Sequence, residues 1–210
     1  MYDLVLIGCG GHARSAADIY LANEPTARLA FVDIAARPGE ILFGWPVLRE
    51  LPETNAVFIA VGDNVQRKAW FEKFAGTKRI ENILSTTAHY GRESKLGIGC
   101  MVGNFCHVGP QAVIGDNVII NNGAIVEHET VIGAHSHVGP NAVVAGRCRI
   151  GELVFVGAGA CVRDGVEVCS EVVIGAGAVV VKAIVESGVY VGCPARKVSG
   201  FLRGESFVFA

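Results

Sequence analysis

The stretch LGIGCMVGNFCHVGPQAVIGDNVIINNGAIVEHETVIGAHSHVGP, residues 96–140, carries an aliphatic residue at every sixth position. The same spacing continues without a break to Val180, so that fifteen successive positions hold Leu, Ile or Val. If about a third of all residues were aliphatic, chance would produce this pattern on the order of 10⁻⁷ of the time. A repeat of this length indicates a repeating structural unit.

A period of six fits neither a 3.6-residue helix nor a meander of hairpins. It predicts short strands joined by sharp corners, with one aliphatic side chain pointing inward from each side and three sides to a coil. Fifteen six-residue units then give about five coils. Glycine follows the aliphatic residue at nine of the fifteen steps, and we expect it to occupy corners that need a positive φ.

The chain before this repeat has a different pattern, in which buried strands alternate with helices. The segment DLVLIGCGGHARSAADIYLAN indicates a strand, a glycine turn and a helix, and the segment NAVFIAVGDNVQRKAWFEKFAG indicates another such unit. Alternation of this kind predicts a parallel sheet with helices around it. We therefore divide the chain into an α/β, Rossmann-like lobe (1–84), an all-β coil domain (85–186) and a C-terminal segment (187–210).

The first glycine turn of the lobe has the features of a phosphate site. Gly8, Gly10 and Gly11 precede a helix whose free N–H groups favour an anion. Asp33 ends the second predicted strand, where a carboxylate that binds ribose is expected. The match to the dinucleotide motif is partial, because Ala13 stands where the third glycine belongs. A tight turn without a ligand is the alternative.

Composition excludes several classes of protein. A net charge of −2 gives no electrostatic footprint for nucleic acid or for an anionic membrane. Mean hydropathy is high, at +0.43, yet no apolar run approaches the ~20 residues that cross a bilayer. The seven cysteines form no CxxC pair, and the N-terminus lacks a basic region of the kind that opens a signal peptide. We expect a cytoplasmic protein with free thiols.

The repeat [LIV]-G-x-x-[small]-x resembles the left-handed parallel β-helix of the hexapeptide-repeat acyltransferases. The segments GCGGHA and AVGDN resemble the N-terminal lobe of one branch, which contains nucleotide-sugar N-acetyltransferases and sialic-acid O-acetyltransferase-like proteins. EHETVIGAHSHVGP is similar to the E-H-[DE]…H segment of the family, and GVYVGCPARKV to its closing motif. The resemblance implies acetyl-CoA as cosubstrate, no metal, and a homotrimer with active sites shared between subunits.

The resemblance also implies roles for particular residues. His128 is the expected general base and Glu129 its partner, and a corner of the coil would let these two neighbours cooperate where a straight strand would not. The implied contacts with the cofactor are His137, Gly146, Ala158, Ala176, Pro194, Arg196 and Lys197. The implied contacts with the nucleotide-linked sugar are Gly10, Gly11, His12, Asp33, Gly62, Asp63, Asn64 and Asn121.

The function expected from this resemblance is direct acetylation of the amino group of a nucleotide-linked amino sugar, for surface-glycan or glycoprotein sugar synthesis. Three alternatives stay open at this point. One is O-acetylation of a sialic-acid-like sugar, and another is a non-catalytic scaffold. The third is a zinc-dependent hydratase of the carbonic-anhydrase type, in which His135 and His137 would supply two ligands. The sequence specifies neither the sugar, nor the carbon, nor the nucleotide.

Overall fold

The computed structural model describes residues 2–201; Met1 and residues 202–210, the last nine residues of the C-terminal segment, lie outside the described range. The chain begins with an α/β lobe. Its elements are β1 (Leu4–Ile7), α1 (Gly11–Asn23), β2 (Leu29–Val32), β3 (Ile41–Leu42), β4 (Trp45–Leu48), β5 (Ala56–Ile59), α2 (Asn64–Phe74) and β6 (Arg79–Ile80).

The lobe contains one six-stranded sheet in the order β3-β4-β2-β1-β5-β6, parallel except for the β3–β4 hairpin. Strands β1, β2 and β5 are buried along their whole length, which explains their unbroken apolar sequences. The chain passes from β1 to β2 on one side and later to β5 on the other. This reversal opens a crevice beyond the carboxyl end of β1, where the glycine turn lies.

A triangular β-helix follows, with three flat faces. The strands of the first face are β7 (Ile83–Leu84), β10 (Met101–Val102), β13 (Ile119–Ile120), β16 (His137–Val138), β19 (Phe155–Val156) and β22 (Val172–Ile174). Those of the second face are β8 (His89–Tyr90), β11 (His107–Val108), β14 (Ile125–Val126), β17 (Val143–Val144), β20 (Cys161–Val162) and β23 (Val179–Val180). Those of the third face are β9 (Lys95–Leu96), β12 (Val113–Ile114), β15 (Val131–Ile132), β18 (Arg149–Ile150) and β21 (Glu167–Val168).

Neighbouring strands of each face are parallel and eighteen residues apart in sequence, as in the pairing of Val108 with Val126. The second residue of each two-residue strand, and Ile174 of β22, point inward, and from Val102 to Val180 these aliphatic side chains form one buried core. The predicted α/β lobe and β-helix are confirmed. The coil count is slightly higher than five, since two faces have six strands. The first coil, which begins with β7 and β8, was not predicted because Tyr90 occupies the position where the repeat would have an aliphatic residue.

The prediction about corner glycines was wrong. A positive φ recurs at every sixth residue from Glu93 to Gly177, three positions after each inward-register residue from Tyr90 to Ile174, and ten of these fifteen residues are not glycine. The glycines that directly follow the aliphatic residues have ordinary φ values. A Cβ on Gly109 would lie 2.5 Å from the backbone nitrogen of His128, and one on Gly133 would lie 2.5 Å from the carbonyl carbon of Gly151. These glycines therefore permit the close approach of the next coil.

The lobe covers the first face of the β-helix. Ile83 and Met101, which point outward from that face, belong to the buried apolar cluster of the lobe. The side chain of Asn23 donates to the Leu84 carbonyl at 2.7 Å and secures the same contact. Because the first face is one side of a triangle, the corner between the second and third faces points away from the lobe.

Strands β24 (Gly188–Val191) and β25 (Arg196–Ser199) end the described chain. Strand β24 extends the first face in parallel with β22, and β25 returns antiparallel to β24. The turn between them lies on the last coil, where the Ala195 N–H donates to the Val179 carbonyl at 2.8 Å. Neither helix of the described chain has the length and apolar character needed to cross a membrane.

Candidate active site

His128 and Glu129 form a hydrogen-bonded pair at the corner between the second and third faces. Glu129 has a φ of 59°, and this left-handed conformation brings consecutive side chains to the same side of the chain. His128 Nδ1 and Glu129 Oε2 are 3.0 Å apart, and the His128 side chain is 42% exposed. A carboxylate facing Nδ1 holds a proton on that nitrogen, so Nε2 presents its lone pair to solvent-exposed space as a base.

Gly146 lies directly beneath the His128 ring, one coil further along the same corner. A Cβ at position 146 would lie 2.6 Å from His128 Nε2 and from Cε1. The ring also rests on a fixed backbone, since the Arg147 N–H donates to the His128 carbonyl at 2.9 Å. The absence of a side chain at Gly146 therefore sets the position of the imidazole.

The other predicted cofactor residues gather at a different corner, between the first and second faces. Ala158 and Ala176 stack there on consecutive coils, where the Gly177 N–H donates to the Ala158 carbonyl at 2.9 Å, and both alanines are exposed. The turn that contains Pro194 binds to the second face next to this corner, where the Ala195 N–H donates to the Val179 carbonyl. Arg196 is exposed, whereas Lys197 is paired with Glu186 at 3.0 Å. The second face separates this corner from that of His128.

The glycine turn of the lobe is open. Gly10 is the N-cap of α1 and Gly11 its first residue; no side chain caps this helix, and nothing lies within 4 Å of a Cβ built at either glycine. Asp33, at the end of β2, accepts hydrogen bonds from Cys9 Sγ at 3.2 Å and from the Ala35 N–H at 2.9 Å. Burial, together with Asp33, raises the pKa of the Cys9 thiol to about 11, so the thiol remains a donor to the carboxylate.

The segment Gly62–Asp63–Asn64, which follows β5, is engaged in protein contacts. Asp63 caps α2 by accepting from the Gln66 N–H at 2.8 Å. Asn64 is buried, and its amide donates to the Val154 carbonyl and accepts from Arg67. The Gly62 carbonyl also accepts from Arg67, at 3.0 Å. These contacts explain the three residues structurally, and their predicted contact with a sugar nucleotide stays a prediction.

His137 and Asn121 lie apart from His128. His137 is in β16 of the first face, and Asn121 directly follows β13 of the same face. His137 is only 7% exposed, and its ring packs between Phe155 and the ring of His12 from the lobe. Asn121 Nδ2 and His137 Nε2 are 3.1 Å apart. Within one chain, therefore, His137 and His12 meet beneath the lobe, whereas His128 lies at the opposite corner.

Arg67 connects these parts, and the sequence analysis did not identify it. The guanidinium is 1% exposed and bonds to backbone of both the lobe and the β-helix. A signal was present in the sequence: Asn64, Arg67, Phe71 and Phe74 form the buried stripe of α2, so a cation occupies an apolar face. Such a placement predicts a buried, hydrogen-bonded charge.

The histidines of the described residues do not converge on a metal. No group of three or more His, Cys, Asp or Glu side chains within residues 2–201 is arranged to hold an ion. His135 Nδ1 faces Asn117, and His89 stacks on His107 on the second face with ring centroids 5.1 Å apart. His137 faces Asn121, so the proposed pair of zinc ligands is directed at two different asparagines.

Comparisons with known proteins agree with this geometry. Two family models match: PglD N-terminal domain over residues 3–74, and bacterial transferase hexapeptide (six repeats) over residues 93–128 and 129–164. The acetyltransferase domain of PglB from Neisseria gonorrhoeae FA1090 is 30% identical, with a TM-score of 0.87 over 93% of this chain and 98% of that one. PerB from Caulobacter crescentus is 32% identical, with a TM-score of 0.85 over 93% and 97%.

The PglB domain has been solved in complex with acetyl coenzyme A, and PerB with CoA and GDP-perosamine. WeeI from Acinetobacter baumannii AYE, at 20% identity and a TM-score of 0.57, shares the fold. No match was found among curated protein sequences.

An α/β lobe joined to a hexapeptide β-helix that bears a histidine–carboxylate pair at a corner defines a transferase of acyl groups. The chain belongs to the hexapeptide-repeat sugar N-acetyltransferases whose N-terminal domain is of the PglD type, and it is an enzyme of that class. The resemblance and the enzyme class predicted from the sequence are confirmed. This membership favours a transferase over the hydratase and the scaffold.

Proposed function

We propose that this enzyme transfers the acetyl group of acetyl-CoA directly to the amino group of a nucleotide-linked amino sugar, in the cytoplasm, with His128 as the general base. The observation that carries this proposal is the corner pair: an exposed imidazole whose Nδ1 is 3.0 Å from the Glu129 carboxylate. The structures of PglB with acetyl coenzyme A and of PerB with CoA and GDP-perosamine support the choice of substrates.

The reaction needs one base and one site for developing negative charge. The neutral sugar amine attacks the thioester carbonyl, and His128 Nε2 takes the proton that the amine loses. The tetrahedral oxyanion requires a donor, for which the backbone N–H near Gly146 is the nearest predicted group. The C–S bond then breaks, the CoA thiolate receives the proton from the imidazolium, and an amide is formed. Glu129 stabilises the imidazolium between these two steps.

The site is proposed to lie between two protomers of a homotrimer. The lobe, which would hold the nucleotide, covers the first face, and His128 lies at the corner opposite that face. A neighbouring protomer can bring its own lobe to this corner. The second face lies between the corner of His128 and the corner of Ala158 and Ala176. It presents a half-buried column of apolar side chains, which suits contact with another copy: Ile125, Val143, Cys161 and Val179. Acetyl-CoA would occupy the groove so formed.

The proposal is tested by a screen of acceptors. UDP-, GDP-, dTDP- and CMP-linked amino sugars are each incubated with acetyl-CoA, and products are analysed by mass spectrometry. Thiol reagents are unsuitable for this assay because the protein itself contains seven cysteines. We expect an N-acetylated product from at least one nucleotide class. Acetylation only of hydroxyl acceptors such as CMP-linked sialic acids would support the O-acetyltransferase, and no product with no CoA binding would refute the proposal.

Gly146→Ala should lower kcat by about 10–100-fold, because the new methyl group displaces the His128 ring and a misplacement of about 1 Å has this effect. Steady-state kinetics at saturating substrates measure the loss. The matched control is the same change in a His128→Ala background, where the ring that the methyl would displace is gone. Equal losses in the two backgrounds would contradict this role of Gly146.

A further inference from the structure

Arg67 is a buried cation without a carboxylate partner in the described part of the chain. Its three nitrogens donate only to carbonyl and amide oxygens. The bonds are Nε to the carbonyl of Asn117 (3.1 Å), Nη1 to the carbonyls of Val61 (3.3 Å) and Gly62 (3.0 Å), and Nη2 to Asn64 Oδ1 (2.7 Å) and the carbonyls of His135 (2.7 Å) and Ser136 (3.2 Å). Burial lowers the pKa of Arg67 to about 9, so the guanidinium remains charged at neutral pH.

This guanidinium joins the lobe to a defined point of the β-helix. On one side it donates to the loop after β5. On the other side it donates to the carbonyls of Asn117 and His135, which lie at the same corner of the β-helix on consecutive coils. Both corner residues have a positive φ, of 57° and 62°. The carbonyls of His135 and Ser136 immediately precede His137, so Arg67 fixes the beginning of the strand that carries this ring.

The hydrogen bonds of Asn121 define the state of the His137 ring. Asn121 Oδ1 accepts from the Asn122 N–H at 2.8 Å, and this contact fixes which end of the amide is the donor. Asn121 Nδ2 therefore donates to His137 Nε2, and the ring proton must lie on Nδ1. Nδ1 is turned towards the backbone of Gly62, although no acceptor meets hydrogen-bond geometry. If the proton were on Nε2 instead, two donors, His137 Nε2–H and Asn121 Nδ2–H, would face each other, and the amide would have to flip.

The surroundings of His137 resist that proton. Burial, then the charge of Arg67 and then His12, keep the pKa of His137 well below its ordinary value. Burial and Arg67 likewise lower the pKa of His12 to about 3. The titratable and charged groups that face His137 are thus Arg67 from α2 and His12 from α1; from the β-helix its neighbours are Asn121, Ile119 and Phe155.

We propose that Arg67 is a positioning residue of the acetyl-transfer site: it fixes His137 as an uncharged ring whose Nε2 accepts from Asn121, and so holds the Asn121 amide in one orientation. The proposal rests on the proposed function in one respect, that Asn121 lines the site where the sugar binds. The second hydrogen of Nδ2 and the second lone pair of Oδ1 are then presented to the acceptor in a fixed arrangement. Arg67 acts from beneath the lobe and does not touch the substrate.

The first test needs no substrate. In the wild-type protein labelled with ¹⁵N histidine, NMR reports the tautomer and the titration of each ring, and His137 is assigned by its loss in a His137→Gln variant. We expect the Nδ1–H tautomer and no titration between about pH 5 and 8. An Nε2–H tautomer, or an ordinary titration in this range, would overturn the proposal. This result does not depend on which sugar is acetylated.

The second test removes the charge. In Arg67→Met, the repulsion from the guanidinium is lost while the burial of the ring remains, so the pKa of His137 should rise part of the way towards its ordinary value. His137 should then add to the acidic loss of kcat/KM for the acceptor, which should become steeper than in the wild type. The KM for acetyl-CoA should be unchanged. Arg67→Lys restores the charge and should reverse the shift. Arg49→Met is the matched control, because Arg49 also donates to a backbone carbonyl, at 2.8 Å, but not beside His137. An unchanged titration of His137 in folded Arg67→Met would refute the proposal.

A third variant tests the contact between Asn121 and His137 on which the proposal depends, whether or not Arg67→Met folds. Asn121→Asp places a carboxylate where the Nδ2 donor was, which should draw a proton onto His137 Nε2 and raise the pKa of the ring. An unaltered His137 titration in this variant would contradict the proposed contact. Failure of the proposed function is distinguishable from all of these outcomes, since it appears as a wild-type protein that acetylates no sugar while its His137 behaves as described.

Discussion

Replacement of His128 by alanine is expected to lower kcat by about 10²–10⁴-fold while acetyl-CoA affinity stays close to that of the wild type. The ring is the group placed to take the proton of the attacking amine, and its 42% exposure means that its removal leaves no buried cavity. Steady-state kinetics give kcat, and calorimetric titration with CoA gives the affinity.

His89→Ala is the matched control for the loss of an imidazole, since His89 is exposed and stacks only on His107 in the ring contacts of the described chain. It should retain a kcat near that of the wild type. A kcat for His128→Ala within a few-fold of the wild type would remove the general-base assignment and leave the fold and the family unaffected.

Gly11→Asp should raise the KM for the sugar nucleotide by about 10–10³-fold, because a carboxylate at the open end of α1 repels a diphosphate by roughly 1–4 kcal/mol at 4 Å. The fold is expected to survive, since nothing lies within 4 Å of a Cβ at this position and an acidic residue in a first helical turn is favourable. The expected effect of Gly11→Asp on binding is therefore due to its negative charge.

Gly11→Asn is the control, because its side chain is nearly the same size and carries no charge. It should bind the acceptor several-fold to a hundred-fold better than Gly11→Asp at low ionic strength, and the difference should shrink as salt screens the repulsion. Equal KM values for the two variants would show that no anion binds at this turn.

Much of the fold followed from local sequence. The aliphatic residues from Leu96 to Val180 point into one core, as predicted, because a period of six leaves only one face of each short strand to bury. The first coil was missed for a chemical reason: Tyr90 occupies an inward register position but lies at the open end of the prism, where 36% of it is exposed.

The glycines show where a local rule fails. Sequence reasoning assigned them to positive φ, yet most of the positive-φ positions are filled by residues such as Glu129 and His135. The glycines that follow the aliphatic residues lie where atoms of the next coil come within 2.8 Å of a Cβ built at the glycine. Contact between coils eighteen residues apart decides the residue type there. The sequence pattern shows the spacing of the glycines, but it does not distinguish a glycine required by a positive φ from one required by the close approach of the next coil.

The site was predictable only where its residues are neighbours in sequence. The pairing of His128 with Glu129 follows from a corner between consecutive residues. The burial of His137 against His12, and the link from Arg67 to the His135 carbonyl, join residues more than sixty positions apart and depend on how the lobe docks on the first face. Sequence spacing carries no information about that docking.

The central claim is that His128 of one protomer acts on a sugar held by the lobe of another, and a hybrid assay tests it most directly. His128→Ala and Gly11→Asp chains with different tags are co-expressed, mixed oligomers are purified through both tags, and acetylation is measured at low acceptor concentration. Each mixed trimer should contain one intact site out of three, the site that combines an intact corner with an intact neighbouring lobe, so about a third of the wild-type activity should be restored. Activity no higher than the mean of the two parent variants would contradict the claim.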